Sequence, residues 1–325
     1  MNNQECLFRT KVEVPKWTDA IKVSDRVVFL GSCFAQYIGE RFQSYGLRAV
    51  CNPLGVLYNP ESIRLQVHAA LHRREKPVPV FPVDGEWRSW WAGTQISGQT
   101  EDDCRTRVDN ALAQLGQSLV SADFLFLTLG TNVCYRLTAD GSVVTNCHRA
   151  PHSLFREDSL PLPACEASLM RLTEDLLGAN PRLKVVFTVS PYRYAKYGYH
   201  GSQLAKATLL LAAEHVRQQR PGQVRYFPAY EMVMDELRDY RFYAEDMLHP
   251  SPVAIDYIWQ RLVCAAMDAS TQEYLQLYAP IRSGLQHIPS HPDSAEYKRF
   301  LASLEEKARV LRERFCPAPP GESRG

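Results

Sequence analysis

Apolar positions along this chain fall into short unbroken runs, separated by longer stretches in which they recur every three or four residues. Residues 26–30, 123–129 and 183–189 are rich in Val, Leu and Phe, too short for helices, and read as buried strands. Residues 47–51 form a weaker run of the same kind. Phe34, Tyr37, Ile38, Phe42 and Tyr45 make the stripe of an amphipathic helix that Gly46 would end. Further helices are predicted at about 61–74, 102–119, 164–178, 202–219 and 252–267. Alternated with the strands, they predict a three-layer α/β/α sandwich around a central, mainly parallel sheet. Asp84-Gly85 within 78–96 and Ala139-Asp140-Gly141 within 133–147 predict two hairpin insertions.

The C-terminal part differs. Tyr297, Leu301, Leu304, Ala308, Leu311 and Phe315 alternate four- and three-residue spacings on a charged helix. Such a stripe docks on its own domain or forms a homodimer. The expected organisation is therefore an α/β domain over 1–270, a helical extension over 271–315 and a disordered tail over 316–325.

Polar residues gather just past the C-terminal ends of the strands. They are Gly31-Ser32-Cys33, Asn52-Pro53-Leu54-Gly55, Gly130-Thr131-Asn132 and Ser190-Pro191-Tyr192-Arg193. Asp246-Met247-Leu248-His249 stands just ahead of the 252–267 helix. In parallel α/β sheets that edge is where ligands bind. A hydroxyl and a thiol on a tight strand-to-helix turn are exposed, and the helix N-terminus stabilises negative charge there. On that segment alone, a plain turn with small packing residues explains the sequence equally well.

Together these segments resemble the GSCFA family, a branch of the SGNH/GDSL-like esterase superfamily. The resemblance runs from about Val27 to Val263. It rests on Gly31-Ser32-Cys33-Phe34-Ala35, Asn52-Pro53-Leu54-Gly55-Val56-Leu57-Tyr58-Asn59-Pro60 and Thr128-Leu129-Gly130-Thr131. It continues through Asn146-Cys147-His148, Thr188-Val189-Ser190-Pro191 and the run from Leu237 to Asp246. The superfamily pattern implies four blocks: a Gly-Asp-Ser turn with the nucleophile, a Gly whose amide binds an oxyanion, a Gly-x-Asn whose side chain does the same, and an Asp-x-x-His base. Gly130-Thr131-Asn132 is similar to the third and Asp246-Met247-Leu248-His249 to the fourth, with Gly55 as the second-block glycine.

The first block departs from that pattern. Laid without gaps, Gly31-Ser32-Cys33 puts Cys33 at the nucleophile; a slide of one residue puts Ser32 there and Leu30 at the glycine. The gapless alignment favours Cys33 and leaves Ser32 as the alternative. A thiolate is a competent acyl acceptor, and a neighbouring His and helix N-terminus would lower its pKa. The resemblance thus implies an acyl-ester hydrolase, with O-acylated carbohydrate as a substrate class. His249 would be the base, Asp246 its orienting carboxylate, and Gly55 and Asn132 the oxyanion donors. An acyltransferase using the same site is one alternative. A non-catalytic ligand-binding or assembly protein is the other, and an Asn132 turned away from residues 32–33 would favour it.

Composition narrows the classes. The chain has 325 residues and a net charge of +1, which gives no electrostatic case for nucleic acid. No run approaches the roughly 18 apolar residues of a membrane span. The start lacks a secretory pattern, and the nine cysteines follow no disulfide framework, so a reducing cytoplasm is expected. No cofactor or metal is required. His68 and His72 stand four apart on a predicted helix, a spacing that can bind metal, but no carboxylate or thiol lies near them in sequence. His148 and Arg193 are candidate substrate-binding residues. Arg238 and Arg241 are expected to buttress Asp239. Trp87, Trp90 and Trp91 pack a hairpin or form a stacking platform.

Overall fold

A computed structural model describes residues 10–72, 74–289 and 291–316. The first strand, β1 (Arg26–Gly31), runs into helix α1 (Cys33–Ser44) through Ser32 alone. There follow β2 (Arg48–Cys51), α2 (Pro60–Leu71), the hairpin β3 (Val80–Val83) and β4 (Glu86–Ser89), α3 (Glu101–Ser121) and β5 (Phe124–Leu129). A second insertion holds β6 (Val133–Leu137), β7 (Val143–Val144) and β8 (Phe155–Ser159). The chain then alternates α4 (Leu162–Ala179), β9 (Lys184–Val189), α5 (Gly198–Gln219) and β10 (Val224–Tyr226). The helical turn α6 (Ala229–Glu231) passes into a π-helical stretch, Met232–Glu236, ahead of α7 (Pro252–Ala266), α8 (Ala269–Leu285) and α9 (Ala295–Phe315).

Among the described residues the main sheet has five strands in the order β10-β9-β5-β1-β2, all parallel. Side chains of β1 alternate across it. Val28 and Leu30 join α2, α3, α4 and α5 on one face; Val27 and Phe29 join α1, α7 and α8 on the other. Both faces are covered, which is why the strands read as continuous apolar runs. The architecture is the α/β fold expected from the sequence, with its two insertions and its helical extension.

The chain runs outward in both directions from β1, so the strand order reverses between β1 and β5. Such a switch point leaves a crevice at the carboxyl ends of the two strands. Gly31 makes the close approach there. Its φ is +124°, and a Cβ on it would lie 2.1 Å from the Thr128 carbonyl oxygen of β5. Only glycine meets both conditions.

The C-terminal stripe is docked within the chain. Leu304 and Ala308 are buried, Leu311 and Phe315 pack on the same cluster, and Gly284 of α8 lies against Leu304. Residues 317–325, most of the expected tail, lie outside the described residues. No described helix is long and apolar enough to cross a membrane.

Candidate active site at the switch point

Ser32 and Cys33 separate at once by geometry. Ser32 is fully buried and caps α1, its Oγ accepting from the Phe34 amide at 3.3 Å. Cys33 is the first helical residue and is partly exposed. Burial pushes its thiol up from the ordinary range. The amides of Phe34 and Cys33 and the charge of Lys206 pull it down, while Asp246 pushes it up. Burial wins, so the lowered thiol expected from the helix N-terminus is not what the structure holds.

Asp246 and His249 form a compact turn. One carboxylate oxygen of Asp246 accepts from the amides of Leu248 and His249, both at 2.9 Å. The other meets His249 Nδ1 at 2.5 Å. The His249 amide first, then its imidazole and the Leu248 amide, hold the Asp246 carboxyl down at about 2. Met247 takes φ +59° to close the turn, a conformation that costs a non-glycine residue energy and is found where a site imposes it. The imidazole is thereby fixed with Nε2 as its open nitrogen, as in hydrolase triads. Its ring lies 4.4 Å from that of Tyr192, and the Asp246 carboxylate is near enough to Cys33 to push its thiol up. Among the described residues no hydrogen bond joins Cys33 to His249. Catalytic contacts are commonly loose before substrate binds.

Arg193 buttresses this turn. Its amide donates to Leu248 O and its guanidinium to Met247 O, at 3.1 and 3.3 Å. The guanidinium is also sandwiched by Tyr199 and Tyr243, at 4.3 and 5.1 Å from the ring centroids. It lines a cavity of about 270 Å³ shared with Tyr192, Lys206, Tyr230 and Arg238. A second cavity, of about 520 Å³, lies along Tyr37 and His249 between α1 and α7. Arg241 sits 3.9 Å from Asp239, a loose pair at the rim.

Both expected oxyanion donors are engaged elsewhere. The Gly55 amide donates to Asn52 O at 2.8 Å. Asn132 is buried, and its Nδ2 donates to Leu160 O at 2.8 Å and Ser159 Oγ at 3.3 Å. The amide has two protons and both are used. The cause is the second insertion: β8 ends beside Asn132, and the buried Leu160 carbonyl that follows it must find a donor. Asn132 is therefore a strut between the β5 end and β8, with both amide protons committed there. Asn132→Ala should lower stability by about 1–3 kcal/mol, because Leu160 O is left unpaired. Denaturant titration beside steady-state kinetics checks this; a large fall in kcat at unchanged stability would restore the oxyanion role.

His148 is the hydrogen-bonded histidine of a turn. It is buried at the junction of the two insertions, with Nε2 2.7 Å from Ser89 O and its ring against Phe81 and Trp90. Burial pulls its imidazole below the usual range. It takes φ +49° and joins the β4 end to the β6–β8 insertion. Trp90 stacks on Phe81 at 3.4 Å, which is hairpin packing. His68 and His72 do have a carboxylate partner, which sequence distance concealed. Asp175 of α4 lies 2.9 and 3.2 Å from their ring nitrogens, on the exposed α2–α4 seam.

Two residues at the site were missed. Lys206 is 2 % exposed, and its Nζ donates to Gly130 O and Ser190 O at 2.6 and 2.7 Å. Tyr194 lies over it, with Nζ 5.1 Å from the ring centroid. The signal was legible for Lys206. It falls beside Ala205 on the stripe that Leu209, Ala212 and Val216 bury, where a charge has no packing purpose.

One similar solved structure is a family two carbohydrate esterase from Clostridium thermocellum, in complex with cellohexaose. It is 10% identical, with a TM-score of 0.39, over 75% of this chain and 64% of that one. Another is an acetyl xylan esterase from the rumen bacterium Butyrivibrio proteoclasticus, 12% identical, with a TM-score of 0.36, over 75% and 63%. This chain thus matches less than two thirds of the length of either. A search of the curated proteins found no match. The model of the GSCFA family matches residues 26–262, and that of the GSCFA domain protein, C-terminal domain, matches residues 279–317. With most of its length matched in this way, the chain belongs to the GSCFA family.

Proposed function

We propose that the chain is an acyl-transfer enzyme of the ester-hydrolase kind, with Cys33 as acyl acceptor and Asp246–His249 as its base. The observation that carries this reading is the Asp246–His249 turn. It fixes an imidazole tautomer at the strand-end edge where α1 presents Cys33. His249 Nε2 takes the thiol proton, and the sulfur attacks the ester carbonyl carbon. The carbonyl electron pair moves onto oxygen and then returns. The C–O bond to the alcohol breaks, and His249 gives the proton to the departing oxygen. Water or a second alcohol then accepts the acyl group by the same steps.

O-acylated carbohydrate is the substrate class we favour. The smaller cavity is walled by Tyr192, Tyr199, Tyr230, Tyr240 and Tyr243, which suit the faces of a sugar ring. The larger cavity, which His249 lines, also suits an acceptor alcohol. One observation favours a non-catalytic binding protein: the amides of Gly55 and Asn132 are engaged. Acetate release from O-acetylated oligosaccharides, with and without an alcohol acceptor, tests these readings. Release without acceptor marks a hydrolase, and acetylated acceptor marks a transferase. Tight binding with neither product marks the binding protein.

A further inference from the structure

The acyl-transfer reading leaves an oxyanion without a side-chain donor, since Asn132 is engaged. We propose that the hydroxyl of Tyr194 is that donor, held over Gly130 and backed by the ammonium of Lys206. This inference rests on the reading of Cys33 as acyl acceptor.

Position comes first. β1 and β5 pair with Gly31 opposite Thr128, so Cys33 and Gly130 each stand two residues past a matched pair, at the switch point. The Tyr194 oxygen lies 2.5 Å from where a Cβ on Gly130 would sit, so the glycine makes room for the phenol. Lys206, whose Nζ lies 5.1 Å from the Tyr194 ring centroid, is also near enough to Cys33 to draw its thiol down.

Availability comes next. The Tyr194 hydroxyl is sealed from solvent and has no hydrogen-bond partner. A buried hydroxyl left unpaired costs stability, and such a group calls for an explanation. Its surroundings fix it rather than free it. Its ring is edge-on to Tyr58 and Tyr192, at 6.4 and 4.7 Å between centroids, and its backbone amide donates to Ser202 Oγ. It is a preorganised donor awaiting an acceptor.

Chemistry agrees with position. An oxyanion donor must stay protonated, and burial holds the Tyr194 phenol well above its ordinary range. Lys206, anchored by two carbonyls, fixes its Nζ at the ring face. When protonated it adds favourable charge beneath the forming oxyanion. The sequence offers a phenol in the motif Ser190-Pro191-Tyr192-Arg193-Tyr194 where the superfamily pattern relies on an asparagine.

The test uses two reactions of one thiol. Acylation of Cys33 by 4-nitrophenyl acetate passes through a tetrahedral oxyanion. Alkylation by iodoacetamide displaces iodide at a saturated carbon and forms none. In Tyr194→Phe the acylation burst should slow by roughly 10²–10³-fold. Alkylation should keep its rate. Thermal stability should hold or rise, because the lost hydroxyl had no partner. Acylation at the wild-type rate in Tyr194→Phe would overturn the proposal while sparing the acyl-transfer reading. Equal slowing of both reactions would also overturn it, marking a structural role. A wild-type Cys33 that is alkylated but never acylated would overturn both.

Discussion

Cys33→Ala is expected to lower turnover of an activated ester by roughly 10⁴-fold or more, since a covalent step has no substitute once its acceptor is gone. Ser32→Ala should behave differently. Ser32 is buried and caps α1. Its loss should cost about 1 kcal/mol of stability and leave turnover measurable. His249→Ala and Asp246→Ala should each lose orders of magnitude, and the double variant should lose little more. The reason is geometric. The Asp246 carboxylate bonds two amides of its own turn and His249 Nδ1. Removing either partner dissolves one unit, and members of a unit are not additive. Steady-state kinetics on the five variants checks this. Loss with Ser32→Ala and retention with Cys33→Ala would move the nucleophile to Ser32. Additive losses at 246 and 249 would separate their roles.

The stability of the wild-type protein, relative to Lys206→Met, should rise with pH through the neutral-to-alkaline range. Burial lowers the Lys206 ammonium from 10.5 to about 7. In the unfolded chain the lysine stays protonated to its ordinary value. Between about 7 and 10.5 the unfolded state therefore binds more protons than the folded one, and stability rises with pH there. Below about 7 the buried ammonium opposes folding in full. From about pH 7 to about pH 9 the gain should be on the order of 2–3 kcal/mol. Lys206→Met removes the titrating group, so its stability should lack this rise. It also leaves the carbonyls of Gly130 and Ser190 without their donor, which lowers its stability at every pH. Denaturant midpoints across this range measure the difference. Parallel pH profiles in the two proteins would mean that Lys206 keeps its ordinary ionisation.

The layered sheet was legible because β1, β5 and β9 are buried on both faces and read as unbroken apolar runs. The helices were legible because each buries one stripe. The short β10 was not, since Val224–Tyr226 has too few residues to show a period. β8 escaped for another reason. Phe155–Ser159 carries Arg156, Glu157 and Asp158 along an exposed edge, paired with β6, and looks like loop. That omission hid the partner of Asn132, because the carbonyl its amide serves follows β8. The Asp246–His249 turn was legible because its contacts are local. Tyr194 over Gly130, and Asp175 beside His68 and His72, join residues far apart in sequence, and only packing reveals them.

The account stands most directly on where an acyl group goes. The protein, quenched in acid during turnover of 4-nitrophenyl acetate and digested, should carry one acetyl group. Peptide mass spectrometry should place it on Cys33, and His249→Ala should lose most of it. An acetyl on Ser32, or turnover that proceeds with residue 33 unmodified, would contradict the assignment of Cys33 as the acyl acceptor.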